Sequence, residues 1–361
     1  MKKSVMILAL ALVVSLLAGC AGTPVVYYTN CTCPAENHET PVAPEVPEVT
    51  EAPVVAEGAV KTGLAVVAKL SDSVGATAEA NGKASYDVTL AAVTVDENGV
   101  ILSCVIDSVG TSVAFDAAGL PVEFDPAAAI LTKNELGENY GMKAYAGSKY
   151  EWNEQAAALA EYAVGKTAEE LRSGAVNEAG KVADADLATV ATIYIGGYVD
   201  AIEKAVANAQ VLGAESGDAL KLVAVNTMAA GAGQEAGGSA ELTVDVAAVT
   251  MNGDVITSCY IDALQAKVEF DGNGAVMGDL AAPQTKNELG ENYGMKAWAG
   301  AKYEWNEQAA NFAAYITGKT AADVAGIEIN EATKPADGTD LATSVTISIG
   351  GFQKLIAKIA E

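Results

Sequence analysis

A segment of 26 residues occurs twice in this chain of 361 residues, and 24 of its 26 positions are identical in the two copies. The first copy is Thr132–Ala157 and the second is Thr285–Ala310. Weaker similarity extends on both sides of each segment, with a period of about 154 residues. That period is far longer than the repeats of solenoid proteins, so each copy is expected to be a whole domain. We place the two homologous domains at residues 61–210 and 211–361 and call them the first and second repeat.

Each repeat begins with strand signals and continues with helix signals. In the first repeat, Tyr86–Val95 and Val100–Ser108 are rich in β-branched residues, and the turn sequence Asp96–Gly99 between them predicts a hairpin. Thr132 with Glu135 is a capping-box pattern, and a longer helix is predicted from about Lys149 to Val164. Strands followed by helices predict an α+β fold with a mostly antiparallel sheet in each repeat.

The longer helix has one apolar face in both repeats. The residues predicted to reach the core are Trp152, Ala156, Leu159 and Ala163, matched by Trp305, Ala309, Phe312 and Ile316. We therefore interpret Trp152 and Trp305 as core residues. Cys104 and Cys259 occupy matching places in the repeats and are interpreted as small buried strand residues.

The charge of the chain limits its partners. The formal net charge is −26, which disfavours nucleic acid because phosphate binding needs clustered Lys and Arg. It also disfavours electrostatic docking on anionic lipid. The one histidine, His38, precedes both repeats, so histidine-based catalysis and the usual zinc sites are not expected in either of them.

The first 60 residues are typical of an exported and tethered protein. Residues 1–19 have a basic start and a short apolar run, which predicts a signal peptide. The end of that run, Leu17 to Cys20, resembles the lipobox of bacterial lipoproteins, which implies cleavage before Cys20 and lipidation of that cysteine. Residues 21–60 hold six of the ten prolines, six Glu and no Lys or Arg, so residues 20–60 are interpreted as a disordered, extended acidic tether.

Aromatic residues mark a candidate pocket in each repeat. Tyr140-Gly141-Met142 and Tyr293-Gly294-Met295 place a glycine between two side chains that contact flat ligands well. A glycine there would let the backbone approach such a ligand. We therefore interpret these tripeptides as parts of a ligand-binding site.

A second motif follows about 50 residues later. Asp186 to Thr192 reads DLATVAT and Asp340 to Thr346 reads DLATSVT. Both resemble the flavinylation motif of FMN-binding domains, Asp-x-x-Ser-Gly-Ala-Thr, in which a flavin transferase moves FMN from FAD onto the last threonine. The equal spacing points to Thr192 and Thr346, while the altered middle leaves Thr189 and Thr343 open as acceptors. An apolar, helix-forming stretch follows, so we expect the threonine hydroxyl at a helix start, where a phosphate is favoured.

The whole chain resembles the flavinylated FMN-binding lipoproteins of Gram-positive extracellular electron transfer. The resemblance implies two FMN groups, each in a phosphoester to Thr, that carry electrons from membrane electron-donor proteins to ferric iron or other external acceptors. It also implies a lipid-anchored protein on the extracellular face of the cell membrane. We expect the cofactors to bind at Thr192, Asp186, Asn134, Glu135, Leu136, Gly137, Tyr140, Gly141 and Met142 in the first repeat, and at Thr346, Asp340, Asn287, Glu288, Leu289, Gly290, Tyr293, Gly294 and Met295 in the second.

Two other functions remain open on the sequence. A secreted flavin-dependent reductase would act on one small acceptor with saturable turnover, whereas a carrier reduces many acceptors. A solute-binding or adhesive lipoprotein would hold no cofactor. We expect an electron carrier, with no catalytic residue and no metal site of its own, because the flavin supplies the redox chemistry.

Overall fold

Each repeat forms one four-stranded antiparallel sheet followed by helices. The computed structural model describes residues 58–232 and 237–361. The strands follow their chain order across each sheet, so every neighbouring pair is joined as a hairpin. The strands are β1 Lys61–Lys69, β2 Gly82–Val95, β3 Ile101–Phe115 and β4 Pro121–Val122 in the first sheet, and β5 Ala219–Ala232, β6 Gly237–Asn252, β7 Val255–Asp271 and β8 Val276–Met277 in the second.

The helices follow the sheet in the same order in both repeats, and the described residues contain ten α-helices. They are α1 Lys133–Leu136, α2 Met142–Ala146, α3 Trp152–Ala163, α4 Ala168–Ala175 and α5 Gly196–Ala207, then α6 Lys286–Leu289, α7 Met295–Ala299, α8 Trp305–Ile316, α9 Ala321–Ala325 and α10 Gly350–Ala357. Short 3₁₀ turns lie at Gly137–Tyr140, Leu187–Thr189, Gly290–Tyr293, Leu341–Thr343 and Lys358–Ala360. The predicted α+β class with antiparallel sheets is confirmed.

Local signals placed most of these elements correctly. The β2–β3 hairpin closes where Asp96 accepts hydrogen bonds from the backbone N–H groups of Asn98 and Val100. Thr132 and Glu135 form the predicted capping box at the start of α1. Helix α3 begins at Trp152, three residues later than predicted, because Glu151 caps it.

The two sheets pack face to face and share one hydrophobic core. Their inner faces contribute large apolar side chains from both repeats, and the rings of Phe115 and Phe270 stack with centroids 4.1 Å apart. The Tyr86 hydroxyl crosses the same core and donates to the carbonyl of Ala240 at 2.7 Å. All described residues accordingly belong to one compact unit.

The helices cover the two outer faces of this pair of sheets. On the first sheet, α3, α4 and α5 enclose a second core, and on the second sheet α8, α9 and α10 enclose a third. All eight residues predicted to line the apolar face of the longer helix are buried. The layers are therefore helices, sheet, sheet and helices. Because each sheet is covered on both sides, the stretch Ala91–Val93 of β2 is buried on both faces.

Two lysines tie the repeats together in a reciprocal way. Lys204 of α5 donates to the carbonyl of Val66 and pairs with Glu288 of the second repeat at 2.6 Å. Lys358 of the second repeat donates to the carbonyl of Ala224 and pairs with Glu135 of the first. The two halves are thus related by an approximate two-fold arrangement.

Several predictions concern residues outside the described ranges. The predicted signal peptide of residues 1–19, the predicted lipidation at Cys20 and nearly all of the predicted tether lie there. The boundary placed between residues 210 and 211 falls in the connection from α5 to β5. Within residues 58–232 and 237–361, no helix combines the length and the apolar character needed to cross a bilayer.

Candidate functional site

The two motif threonines lie in an exposed loop, which we call the threonine loop (residues 190–195 and 344–349). In the first repeat this loop runs from the 3₁₀ turn Leu187–Thr189 to α5, and Thr192 is exposed. The prediction that Thr192 and Thr346 sit at a helix start is wrong, because α5 is capped by Ile195 and α10 by Ile349. The threonine lies three residues earlier, so the helix N-terminus does not supply its local field.

A buried glutamine from the long helix holds the threonine loop instead. The Oε1 atom of Gln155 accepts from the N–H of Thr192 at 2.7 Å, from its hydroxyl at 3.2 Å and from the N–H of Ile193 at 3.2 Å. Gln308 does the same for Thr346 and the N–H of Ile347, at 2.7, 3.1 and 3.2 Å. Both glutamine side chains are fully buried, so their carbonyl oxygens are fixed points on which the loop is positioned.

The same glutamines reach the Tyr-Gly-Met segments. The Nε2 atom of Gln155 donates to the carbonyl of Tyr150 at 3.1 Å and lies 3.8 Å from the sulfur of Met142. In the second repeat, Nε2 of Gln308 lies 4.0 Å from the sulfur of Met295. One buried amide therefore joins the two sequence motifs, which are about 50 residues apart in the chain.

Glutamate side chains hold the backbone of the Tyr-Gly-Met segment by hydrogen bonds. The carboxylate of Glu151 accepts from the N–H groups of Met142 and Lys143, at 2.7 and 3.1 Å. Glu304 makes the equivalent bonds to Met295 and Lys296. Because each glutamate also caps the long helix, the segment and the helix are held as one piece.

The glycine of the tripeptide lies at a turn in both repeats, with an aromatic ring against it. Gly141 has a φ of 82° and Gly294 a φ of 83°, a backbone conformation that favours glycine. A Cβ atom at either position would clash with an aromatic ring, Tyr145 in the first repeat and Trp298 in the second. This ring lies against the glycine and is itself exposed, at 89% for Tyr145 and 90% for Trp298, so the prediction that the glycine admits a flat ligand stays a prediction.

The residues before the tripeptide hold the turn in place. Asn134 donates from its N–H to Asp107 at 3.0 Å and from its side chain to the carbonyl of Ile106 at 2.9 Å, and Asn287 repeats this pattern. Glu135 is used by its capping box and by Lys358. Leu136, Gly137, Leu289 and Gly290 form the turn backbone between the helices. These predicted site residues thus position the segment.

Asp186 and Asp340 are exposed and lie at the start of the 3₁₀ turns. Their backbone carbonyls accept from the hydroxyls of Thr189 and Thr343 at 2.7 Å. The alternative threonines are therefore engaged locally, whereas Thr192 and Thr346 are held by the glutamine that contacts the Tyr-Gly-Met segment. This difference favours the last threonine of each motif as the functional one.

The lysine at the start of the 26-residue segment was missed by sequence reasoning. Lys133 is 9% exposed, and its ammonium lies 5.2 Å from the ring centres of both Tyr140 and Trp152. Trp152 in turn donates to the Tyr198 hydroxyl at 2.9 Å. For Gln155 the available signal was a polar residue on the apolar face of the long helix, next to the capping pattern of Glu151 and Glu154. Lys133 had no such signal in the sequence.

Two buried aspartates, Asp107 and Asp262, accept hydrogen bonds from the segments. Burial raises the pKa of Asp262 to about 6, although it accepts hydrogen bonds from the N–H groups of Ala263 and Asn287. Burial raises the pKa of Asp107 as well. Burial also raises the pKa of the Cys104 thiol to about 12, so this cysteine is protonated at neutral pH.

A groove lies beside the long helix in each repeat. The first groove has a volume of about 370 Å³ and the second about 560 Å³. Cys104 and Asn153 line the first, and the matching Cys259 and Asn306 line the second. The side-chain oxygens of both asparagines are buried and have no hydrogen-bond partner among the described residues.

Within the described ranges, no group of three or more His, Cys, Asp or Glu side chains is placed to bind a metal ion. Comparison of the chain with protein-family models, with curated proteins and with solved structures found no match. The assignment of a function therefore depends on the geometry described above.

Proposed function

We propose that this protein is a membrane-anchored extracellular electron carrier with one covalent FMN in each of its two repeats. The attachment points are Thr192 and Thr346. The electrons come from membrane electron-donor proteins linked to quinol oxidation and go to external acceptors such as ferric iron. A lipid on Cys20 holds the protein at the extracellular face of the cell membrane.

One observation carries the proposal. In both repeats a buried glutamine holds the threonine loop with one end of its amide and contacts the Tyr-Gly-Met segment with the other. Two distant motifs that resemble parts of one flavin-binding family thus meet at one place, twice in the same chain. A purely structural role for either motif would not require this convergence.

The residues at this place fit FMN. Thr192 is exposed and its hydroxyl is fixed by Gln155, as an acceptor for a modifying enzyme requires. Tyr145 and Trp298 offer exposed ring faces next to the segment, and ring faces stack on flat ligands. The ammonium of Lys133 complements an anionic ring system. When bound, FMN supplies the redox chemistry of the proposed carrier.

The attachment step conserves all atoms. A flavin transferase brings FAD to the loop, the Thr192 oxygen forms a bond to the phosphorus of the FMN half, and the pyrophosphate bond of FAD breaks. AMP leaves, and the hydroxyl proton passes to a base of the transferase. Gln155 keeps the hydroxyl of Thr192 in one orientation before the reaction, which lowers the entropic cost of meeting the donor.

Covalent attachment also overcomes the electrostatic repulsion between this acidic chain and FMN. A protein with a net charge of −26 repels free FMN, which is itself an anion. An extracellular cofactor that dissociates is lost by dilution. A phosphoester to Thr192 or Thr346 removes both difficulties.

The paired grooves favour a second candidate, a solute-binding lipoprotein without a cofactor. Asn153 and Asn306 line these grooves, and each side chain, turned into its groove, would accept hydrogen bonds from a small polar solute. This candidate predicts that the protein stays colourless when it is co-expressed with a flavin transferase.

The test is co-expression of the full chain with a flavin transferase, followed by denaturation and mass spectrometry of the intact protein and its peptides. Two added FMN masses, one on each motif peptide, are expected. Thr192→Ala and Thr346→Ala should each remove one FMN, and Thr77→Ala, an exposed threonine outside both motifs, should remove none. Loss of FMN in Thr189→Ala but not in Thr192→Ala would transfer the site to Thr189. No added mass would refute the proposed function.

A further inference from the structure

The ammonium groups of Lys133 and Lys286 are unusual cations in this acidic protein. Lys133 lies between Tyr140 and Trp152, and Lys286 lies 5.1 Å from the ring centre of Tyr293 and 4.9 Å from that of Trp305. Among the described residues, neither ammonium takes part in an ion pair within 4.0 Å. Ring faces stabilise such a charge only in part, and within the described ranges neither ammonium is neutralised by a direct ion pair.

Both cations belong to the candidate flavin sites. Trp152 lies one helical turn before Gln155, which holds Thr192, and Tyr140 precedes the Met142 that Gln155 contacts. A ring system attached at Thr192 and lying along the Tyr-Gly-Met segment therefore comes into the field of Lys133. The same argument applies to Lys286 in the second repeat.

The second site holds a half-buried carboxylate that the first site lacks at the matching position. Asp245 lies on β6, and its Oδ2 atom is 3.7 Å from the place where a Cβ atom on Gly351 of α10 would sit. Burial raises the pKa of Asp245, and the nearby ammonium of Lys286 lowers it. Asp245 makes no ion pair within 4.0 Å among the described residues, so its charge acts on the surroundings of Lys286.

The strand register identifies the matching residue in the first repeat. Leu90 faces Asp107 across the β2–β3 pair, and Val246 faces Asp262 across the β6–β7 pair. The residue before each of them is Thr89 in the first repeat and Asp245 in the second. The first repeat does have a carboxylate on β2 two residues before Thr89, which is Asp87. This side chain is exposed, so water screens its charge.

We propose that Lys133 and Lys286 set the reduction potentials of the two flavins, and that Asp245 makes the flavin of the second repeat the stronger reductant. A flavin gains negative charge with electrons, so a nearby cation raises its potential and a sheltered anion lowers it. Electrons then pass from the second repeat to the first, one flavin being oxidised by as many electrons as the other gains. This inference rests on the proposed function.

The test is potentiometric titration of the full-length flavinylated chain, followed by flavin absorbance. Thr346→Ala leaves only the first flavin and Thr192→Ala only the second. We expect the flavin of the first repeat to have the higher midpoint potential. The expected difference favours electrons on that flavin at least tenfold, which corresponds to about 30 mV for a two-electron couple. Asp245→Thr should raise the potential of the second flavin, and Thr89→Asp should lower that of the first.

Matched variants separate charge from structure. Lys133→Gln should lower the potential of the first flavin, Lys133→Arg should preserve it, and Lys302→Gln should have no effect, because Lys302 is exposed and lies over one ring only. Should Lys133→Gln fail to fold, Lys133→Arg still tests whether the cation is sufficient, and the reciprocal exchange at Thr89 and Asp245 tests the charge difference between the two sites. Equal potentials, or potentials unchanged by that exchange, would overturn this inference while leaving the carrier intact. A chain that takes up no FMN would overturn both.

Discussion

The two repeats carry nearly the same 26-residue segment but surround it with different neighbours. In the first repeat, Trp152 donates to the hydroxyl of Tyr198. In the second, Phe352 stands in that place and packs edge-on against Trp305, with ring centroids 5.9 Å apart. The identical residues form the turn, the caps and the glutamine bridge, whereas the differing residues lie around them. The comparison teaches that the framework of the site is kept while its electrostatic surroundings differ between the repeats.

The largest expected effect tests whether the repeats are separate at all. Phe115→Ala removes one ring of the stack in the shared core, and we expect a loss of about 3–5 kcal/mol in the free energy of unfolding. Because the core joins both sheets, the variant should still unfold in one transition at lower urea. Circular dichroism and tryptophan fluorescence measure this. Two separate transitions, with only one displaced, would show that the repeats fold independently.

The second prediction concerns pH and the buried Asp262. Its folded-state pKa of about 6 exceeds the ordinary value of 3.8, so its protonated form favours the folded state. This stabilisation is complete below pH 3.8 and is lost as the pH rises through about 6, up to about 3 kcal/mol at 1.36 kcal/mol per pKa unit.

Asp262→Asn removes this titration and keeps an oxygen for the N–H groups of Ala263 and Asn287. As the pH rises from 4 to 6.5, the wild type should therefore lose stability relative to Asp262→Asn. Urea titrations at each pH measure the free energy of unfolding of both proteins. The same experiment with Asp107→Asn compares the first repeat, where burial raises the pKa in the same direction. A difference that stays constant with pH would contradict the prediction.

The glutamine bridge gives the third prediction. Gln155→Leu leaves the N–H groups of Thr192 and Ile193 without their acceptor, so we expect a loss of about 1–3 kcal/mol. Gln308→Leu should cost less, because Asn311 still donates to the carbonyl of Ser344, a bond that Ala158 cannot make in the first repeat.

Thermal denaturation measures the stabilities of these glutamine variants. Mass spectrometry after co-expression with the flavin transferase measures the FMN on each repeat, which should fall only in the altered one. Gln284→Leu, at an exposed position, is the control and should change neither quantity. Equal stability losses in Gln155→Leu and Gln308→Leu would show that the Asn311 bond contributes nothing.

The smallest expected effect exchanges the aromatic partners. Tyr198→Phe removes the acceptor of the Trp152 N–H and makes the first repeat resemble the second, at a cost of about 1 kcal/mol. Phe352→Tyr is the reverse exchange and should gain up to the same amount if the new hydroxyl reaches Trp305. Urea midpoints measure both changes. A gain in stability for Tyr198→Phe would contradict the role given to this hydrogen bond.

Sequence reasoning placed the elements whose signals are local. The capping box of Thr132 and Glu135, the hairpin turn at Asp96 and the apolar face through Leu159 each depend on residues within a few positions. The shared core could not be predicted in this way, because Phe115 and Phe270 are 155 positions apart and the strand pattern does not reveal which sheet covers which.

The candidate site shows the same division. The motif threonine was identified by spacing, but its supposed helix start was wrong because Ile195 caps α5 three residues later. Gln155, which joins the motifs, is one polar residue on an apolar helix face, and its partners 13 positions before it and 37 positions after it are set by tertiary packing. Lys133 was missed for the same reason, since its two rings meet it only in the folded chain.

The reciprocal ion pairs Lys204–Glu288 and Lys358–Glu135 limit how a longer protein could be built from this repeat. A sheet whose inner face is already covered by its twin offers no place for another copy, since both partners use the same surface and the arrangement closes on itself. A longer protein built from this unit would have to add copies two at a time. The smallest unit that can be duplicated in this architecture is then the pair of repeats, not the single repeat.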